Sequence, residues 1–226
     1  MNITNQRRLA AEASRGISSG PSYHLAGLLL DKHAPAGQIL EFGAGTGNFA
    51  RKLRNEGFAR KITCADILPA PQVLLSDFEW IQADLNNPLP TGDESFDGIV
   101  STEVIEHLEN PRAVFREFFR LLRPGGWLVL TTPNQESLRS LASLAIGHHF
   151  AAFLGASYPA HITALLRLDF ERICAETGFD APKFHYTNTG RIPKMTRFCW
   201  PKAFRGRLFS DNLALETRKP TAHEHL

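Results

Sequence analysis

The stretch TEVIEHLENP, residues 102–111, sets Glu103, Glu106 and His107 within five positions, directly after the strand-like run FDGIVS. In a helical turn these three stand at i, i+3 and i+4 and share one face. Carboxylate and imidazole together offer two kinds of chemistry. His107 with Glu106 beside it can take a proton from a reacting hydroxyl, or the set can hold a divalent cation that lowers the pKa of a bound hydroxyl. Such ligands suit manganese, iron or zinc, and magnesium where oxygens dominate the shell. A fourth metal ligand is available from YPAHIT, in His161. A solvated turn without chemistry is the third expectation.

A second group surrounds a glycine loop. LEFGAGTGNFA places Gly43, Gly45 and Gly47 between a strand and a helix, where missing side chains let backbone approach a ligand. Asn48 stands where a dinucleotide fingerprint has its third glycine, so the pattern is ExGxGxG beginning at Glu41. Asp66 ends the second apolar run about 20 residues later, where an acid can accept both hydroxyls of a ribose. Asp84, in IQADL, ends the third run, where it could accept from an adenine amino group with Leu85 beside it. Three acids at successive strand ends beside a glycine loop point to the edge at which open parallel sheets bind ligands.

The elements that must position these residues alternate. QILEF, KITCAD, EWIQAD, FDGIVS and WLVLTT are strand candidates, and amphipathic helices between them predict a parallel sheet built from strand–helix–strand units. GNFARKLRNEG pairs Phe49 with Leu53 on one face and stops at Gly57. From Asn110 a helix is capped, has Pro111 at its first position, buries Val114, Phe115, Phe118, Leu121 and Leu122, and ends at Pro124–Gly126. ALLRLDFERICAETGF is a further helix, and PKFHYTN and NLALETR are two late strands.

Together these motifs resemble the class I S-adenosylmethionine-dependent methyltransferases over most of the chain, closest in pattern to ubiquinone-pathway enzymes and to O-methyltransferases that tailor polysaccharides and lipids. EFGAGTG is similar to the first motif of that family, CADI to its ribose-binding step, QADL to its adenine step, and FDGIVSTEVIEHL with LLRPGGWLVLTTPN to its later motifs. The resemblance implies an α/β, Rossmann-like fold: a seven-stranded, mostly parallel sheet, its last strand antiparallel, with helices on both faces. It implies S-adenosylmethionine as cofactor, with Glu41 fixing the loop and Gly43, Gly45 and Gly47 against the methionine part. Asp66 and Ile67 would meet the ribose, Asp84 and Leu85 the adenine, and Ser101 the methionine end. Segments similar to ExxEH with a later histidine imply a metal (Mg, Mn, Fe or Zn) on Glu103, Glu106, His107 and His161; other members have no metal there, leaving His107 as base or loop support. A nicotinamide oxidoreductase is disfavoured by Asn48 and Asp84.

At 226 residues, 43% of them apolar, the chain is expected to be one domain, 1–226, with 133–162 and 189–209 as lid or acceptor-binding insertions. Arg191–Phe209 has six basic residues, no acidic ones and four aromatics, and could bind phosphate or lie on an anionic membrane. A formal charge of +2 argues against nucleic acid as partner, with an RNA 3′-terminal ribose retained as the alternative acceptor. The leading expectation is O-methylation of a hydroxylated small-molecule, lipid-linked or glycan-linked acceptor. Three separated cysteines, Cys64, Cys174 and Cys199, form no disulfide framework and favour a cytoplasmic setting, with peripheral membrane contact through 189–209 as a variant.

Overall fold

Ile39 and Leu40 are neighbours in sequence and point to opposite faces of their strand, yet each is at most 1% exposed. A strand buried on both faces belongs inside a parallel sheet covered by helices on either side. The computed structural model describes residues 3–13, 16–33, 36–72, 78–154 and 160–221. Its strands are β1 (Ala36–Phe42), β2 (Ala59–Asp66), β3 (Glu79–Gln82), β4 (Phe96–Thr102), β5 (Leu122–Pro133), β6 (Lys183–Tyr186), the hairpin of β7 (Arg191–Ile192) and β8 (Met195–Cys199), and β9 (Asn212–Arg218). Seven form one sheet in the order β3-β2-β1-β4-β5-β9-β6. Neighbours from β3 to β5 are parallel. The last strand, β9, runs antiparallel to both β5 and β6, as expected.

The helices are α1 (Ile3–Ala13), α2 (Gly20–Leu30), α3 (Asn48–Asn55), α4 (Pro111–Leu121), α5 (Leu138–Gly147) and α6 (Arg167–Thr177). One core layer sets Phe115, Phe118 and Phe170 of α4 and α6 against Leu40, Phe42 and Ile99 of the sheet. The other sets Leu25, Leu29, Phe49 and Leu53 of α2 and α3 against Ile39, Cys64 and Val129. Asn110 caps α4, its side chain accepting from Ala113 N. The helix is shorter than the sequence suggests: it ends at Leu121, and Leu122 is already in β5. Arg123 precedes Pro124, and the residue before a proline is driven out of the helical region, so the chain extends early.

Two helices had no sequence expectation, α1 and α2. Ser19 caps α2 by accepting from Ser22 N, with Pro21 at the start of the helix, and that Ser-Gly-Pro signal is visible in the sequence. The hairpin β7–β8 lies in the segment expected as an insertion, and α5 in the other. The latter also crosses 155–159, which lie outside the described residues.

From β1 the chain passes outward to β2 and β3, then crosses back to β4 and β5. The reversal opens a crevice at the carboxyl ends of β1 and β4, the place where such sheets bind ligands.

Candidate active site

The glycine loop leaves β1 in a backbone form that side chains oppose: Gly43, Gly45 and Gly47 have φ of 84°, 53° and 69°. A Cβ at Gly45 would come within 2.2 Å of the Gly16 carbonyl oxygen, and one at Gly43 within 2.2 Å of Val104. The loop is pinned as well as narrow. Gly43 N and Ala44 N donate to Ala65 O, Gly45 N donates to Asp66 Oδ2 at 2.7 Å, and Thr46 N donates to Gly16 O.

Behind the loop, Glu41 is 2% exposed. Burial, then the charge of Asp66, pushes its carboxyl up to about 8, against the Ala50 N–H and the Cys64 thiol, which donate to it. It thereby fills one of the open N–H groups of the first turn of α3.

Asp66 accepts from Gly45 N and, through Oδ1, from Leu68 N at 2.8 Å. Its burial raises its pKa above the ordinary carboxylate value, while the Leu68, Gly45 and Ile67 N–H groups pull it down. Asp84 is held in an ion-pair network. Arg7 of α1 holds Asp84 Oδ2 at 2.6 Å and Glu109 at 2.6 Å, and Asn86 donates twice to Oδ1. Burial alone would raise the Asp84 carboxyl; Arg7 and Asn86 bring it below its usual value.

Glu103 parts from Glu106 and His107. The helical turn is a short 3-10 segment, Ile105–His107, and Glu103 precedes it with φ +54°. That left-handed step points its carboxylate to the start of α2. There it accepts from Ser19 N at 2.7 Å, Ser19 Oγ, Ser22 Oγ, and Asn212 Nδ2 at 2.8 Å. The i, i+3, i+4 face is therefore not formed, and Glu103 lies outside the ligand cluster.

Glu106, His107 and His161 do come together, with one ligand atom from each within 4.8 Å of the others. The Glu106 carbonyl accepts from both Ile162 N and Thr163 N, which draws the chain bearing His161 alongside. The two imidazoles meet edge to face, centroids 4.7 Å apart. His107 Nδ1 donates to Ala160 O at 2.9 Å and His161 Nδ1 to Ala152 O at 2.7 Å. A carbonyl partner requires the hydrogen on Nδ1, so Nε2 is the basic nitrogen of each ring.

Burial lowers the pKa of both histidines, partly offset for His107 by the Ala160 and Glu103 carbonyls and reinforced for His161 by His107. Both rings are neutral at neutral pH. Glu106 is 1% exposed; Oε2 accepts from Thr132 Oγ1, while Oε1 is buried with no partner among the described residues. Burial, then the charge of Glu103, pushes its carboxyl up to about 8.

A cavity of about 1010 Å³ joins the two groups. Its wall includes Gly43, Gly45, Asp66, Ile67, Asp84 and Leu85 together with Glu103, Glu106, His107 and His161. Glu41, Gly47 and Ser101 stand behind the wall; Thr102 lines it where Ser101 was expected.

Residues 14–181 match the sequence model of a family described as a methyltransferase domain. The chain belongs to the class I S-adenosylmethionine-dependent methyltransferases. A malonyl-[acyl-carrier protein] O-methyltransferase of Paenibacillus sp. (strain JDR-2) is 30% identical over 77% of this chain and 63% of that protein. A ubiquinone biosynthesis O-methyltransferase of Parvibaculum lavamentivorans is 30% identical over 54% of this chain and 46% of its own length. The chain thus spans about half to two-thirds of these curated relatives. The crystal structure of a SAM-dependent methyltransferase from Archaeoglobus fulgidus shares the fold, with a TM-score of 0.60 at 18% identity, covering 88% of this chain and 95% of that one.

Family membership favours S-adenosylmethionine over a nicotinamide cofactor, and the residues present fit it. This methyltransferase has a loop that a Cβ would jam, a buried acid at the end of β2, and a cavity at the upper end of the roughly 300–1,000 Å³ of ordinary ligand sites, room for cofactor and acceptor together. Arg7, Gly16, Ser18, Thr102 and Arg139 also line the cavity and had no sequence expectation. They sit on α1, on the turn before α2, at the end of β4 and on α5, and only the cap of α2 leaves a local signal.

Proposed function

We propose that this methyltransferase transfers a methyl group from S-adenosylmethionine to an oxygen of a hydroxylated acceptor, a small molecule or one linked to a lipid or glycan. The observation that supports it is the continuous cavity from the glycine loop and Asp66 to the neutral imidazole of His107. Bound S-adenosylmethionine supplies an electrophilic methyl on a sulfonium. In this reading Asp66 accepts from ribose hydroxyls, and the glycine loop brings backbone close to the methionine part. His107 Nε2 takes the proton that the acceptor hydroxyl releases, while Ala160 O fixes the ring through Nδ1. Both relatives above are named as O-methyltransferases.

A second reading is favoured by one atom. Glu106 Oε1 is buried without a partner among the described residues, beside two imidazoles whose Nδ1 atoms are tied to carbonyls, the arrangement usual for metal-ligating histidines. Glu106, His107 and His161 would hold a divalent cation, which would lower the pKa of the acceptor hydroxyl.

The test is transfer of labelled methyl from S-adenosylmethionine to a panel of catechols, sugar diols and hydroxy acids, with the products identified by mass spectrometry. O-methylated products are expected, and His107→Gln should lower turnover by about 100-fold or more, the ordinary scale of acid–base catalysis. Methylation confined to nitrogen or carbon, or full turnover by His107→Gln, would refute the proposal. Chelator treatment separates the two readings: lost turnover restored by Mg, Mn, Fe or Zn favours the cation, and unchanged turnover favours the base.

A further inference from the structure

Arg139 stands in the first turn of α5 and lines the cavity. Its side chain is only 19% exposed, and among the described residues it makes no hydrogen bond; one ion pair, to Asp211 Oδ2, spans 3.6 Å. That carboxylate is already engaged, since Arg191 Nε holds it at 2.6 Å and Arg191 N donates to its other oxygen at 3.2 Å. Two guanidiniums on the cavity wall therefore share one carboxylate.

Burial, then the charge of Arg191, lowers the pKa of the Arg139 guanidinium despite Asp211. A cation so placed is poorly compensated for its desolvation. A guanidinium presents five donors in a planar fork that matches the oxygens of a carboxylate or phosphate.

Three other acids of the cavity wall are committed elsewhere: Glu103 takes the donors of Ser19, Ser22 and Asn212, and Asp84 and Glu109 are held by Arg7.

The sheet order separates Arg139 from the glycine loop and Asp66. The glycine loop follows β1 and Asp66 closes β2, whereas Arg139 follows β5, and Asp211 immediately precedes β9. In the sheet order β5 is two strands and β9 three strands from β1, or roughly 10–14 Å at ordinary strand spacing. The histidines line the same cavity.

We infer that Arg139, assisted by Arg191, grips an oxyanion on the acceptor, a carboxylate or a phosphate group, and so selects anionic acceptors. The inference rests on the acceptor lying at the histidine end, as proposed above.

Calorimetry on the protein saturated with S-adenosylhomocysteine tests it, with malonate and inorganic phosphate as separate probes. At least one anion should bind the wild type, and Arg139→Gln should weaken that binding about tenfold or more, the scale of a lost charge-assisted bidentate contact, with S-adenosylhomocysteine affinity unchanged. Tighter malonate assigns a carboxylate; tighter phosphate assigns a phosphoryl group. Binding equal in wild type and Arg139→Gln, or of neither anion, overturns the inference. So does weakened S-adenosylhomocysteine in Arg139→Gln, which would give the arginine to the cofactor's own carboxylate. Failure of wild type to bind S-adenosylhomocysteine would instead overturn the methyltransferase reading. Arg139→Lys, which keeps the charge without the fork, repeats the comparison if the glutamine variant does not fold.

Discussion

Glu41, Glu103 and Glu106 carry the same side chain, and their surroundings give them three tasks. Glu103 is an acceptor for Ser19, Ser22 and Asn212. Glu106 keeps one oxygen with no partner among the described residues, beside two imidazoles. Glu41 is buried behind the glycine loop with its carboxyl pushed up to about 8. The last has a consequence for stability. An unfolded glutamate loses its proton near its ordinary value of 4.5, whereas the folded one keeps it to about 8, so between those values the native state holds more protons. Stability then falls as pH rises through that window. Glu41→Gln removes the titration, and its melting temperature should drop less than that of the wild type between about pH 5 and pH 8. A parallel drop in thermal melts of the two proteins would show that Glu41 titrates normally.

At the scale of elements, the strands and the site motifs differ in how far sequence discloses them. Buried apolar runs mark β1, β2, β4 and β5, and all seven sheet strands and the Asn110 cap of α4 were legible. The ligand edge was legible for the same reason, since Gly43, Gly45, Asp66 and Asp84 sit at strand ends that periodicity defines. Glu103 was not. Its spacing from Glu106 and His107 fits a helix, but the chain takes a left-handed step at Glu103, where the carboxylate gains donors contributed by Ser19 and Asn212. Nothing local announces partners so distant in sequence. Glu103 thereby joins β4 to the start of α2 and to β9. Glu103→Ala should destabilise the fold by about 1–3 kcal/mol, because buried donors lose their acceptor. Urea melts measure this; an unchanged midpoint would mean that water replaces the carboxylate without cost.

For the whole molecule, function depends on one space that no single segment encloses. Its walls come from α1, the glycine loop, the ends of β2 and β4, the 3-10 turn with His107, the chain bearing His161, and the turn before β9. Sequence disclosed the part of the wall built from Gly43, Gly45, Asp66 and Asp84, because these residues follow strands in a fixed order. It did not disclose Arg7, Arg139 or Asp211, which reach the cavity only through the packing of helices and strands far apart in the chain. The central claim is that this space seats S-adenosylmethionine with its ribose on Asp66 and its methyl toward His107. Calorimetric titration of S-adenosylhomocysteine into wild type and Asp66→Ala tests it most directly. The account predicts binding of S-adenosylhomocysteine by wild type and an affinity lower by about 10–100-fold in Asp66→Ala, the scale of hydrogen bonds to a charged group. No binding by the wild type, or equal affinity in the two proteins, would contradict it.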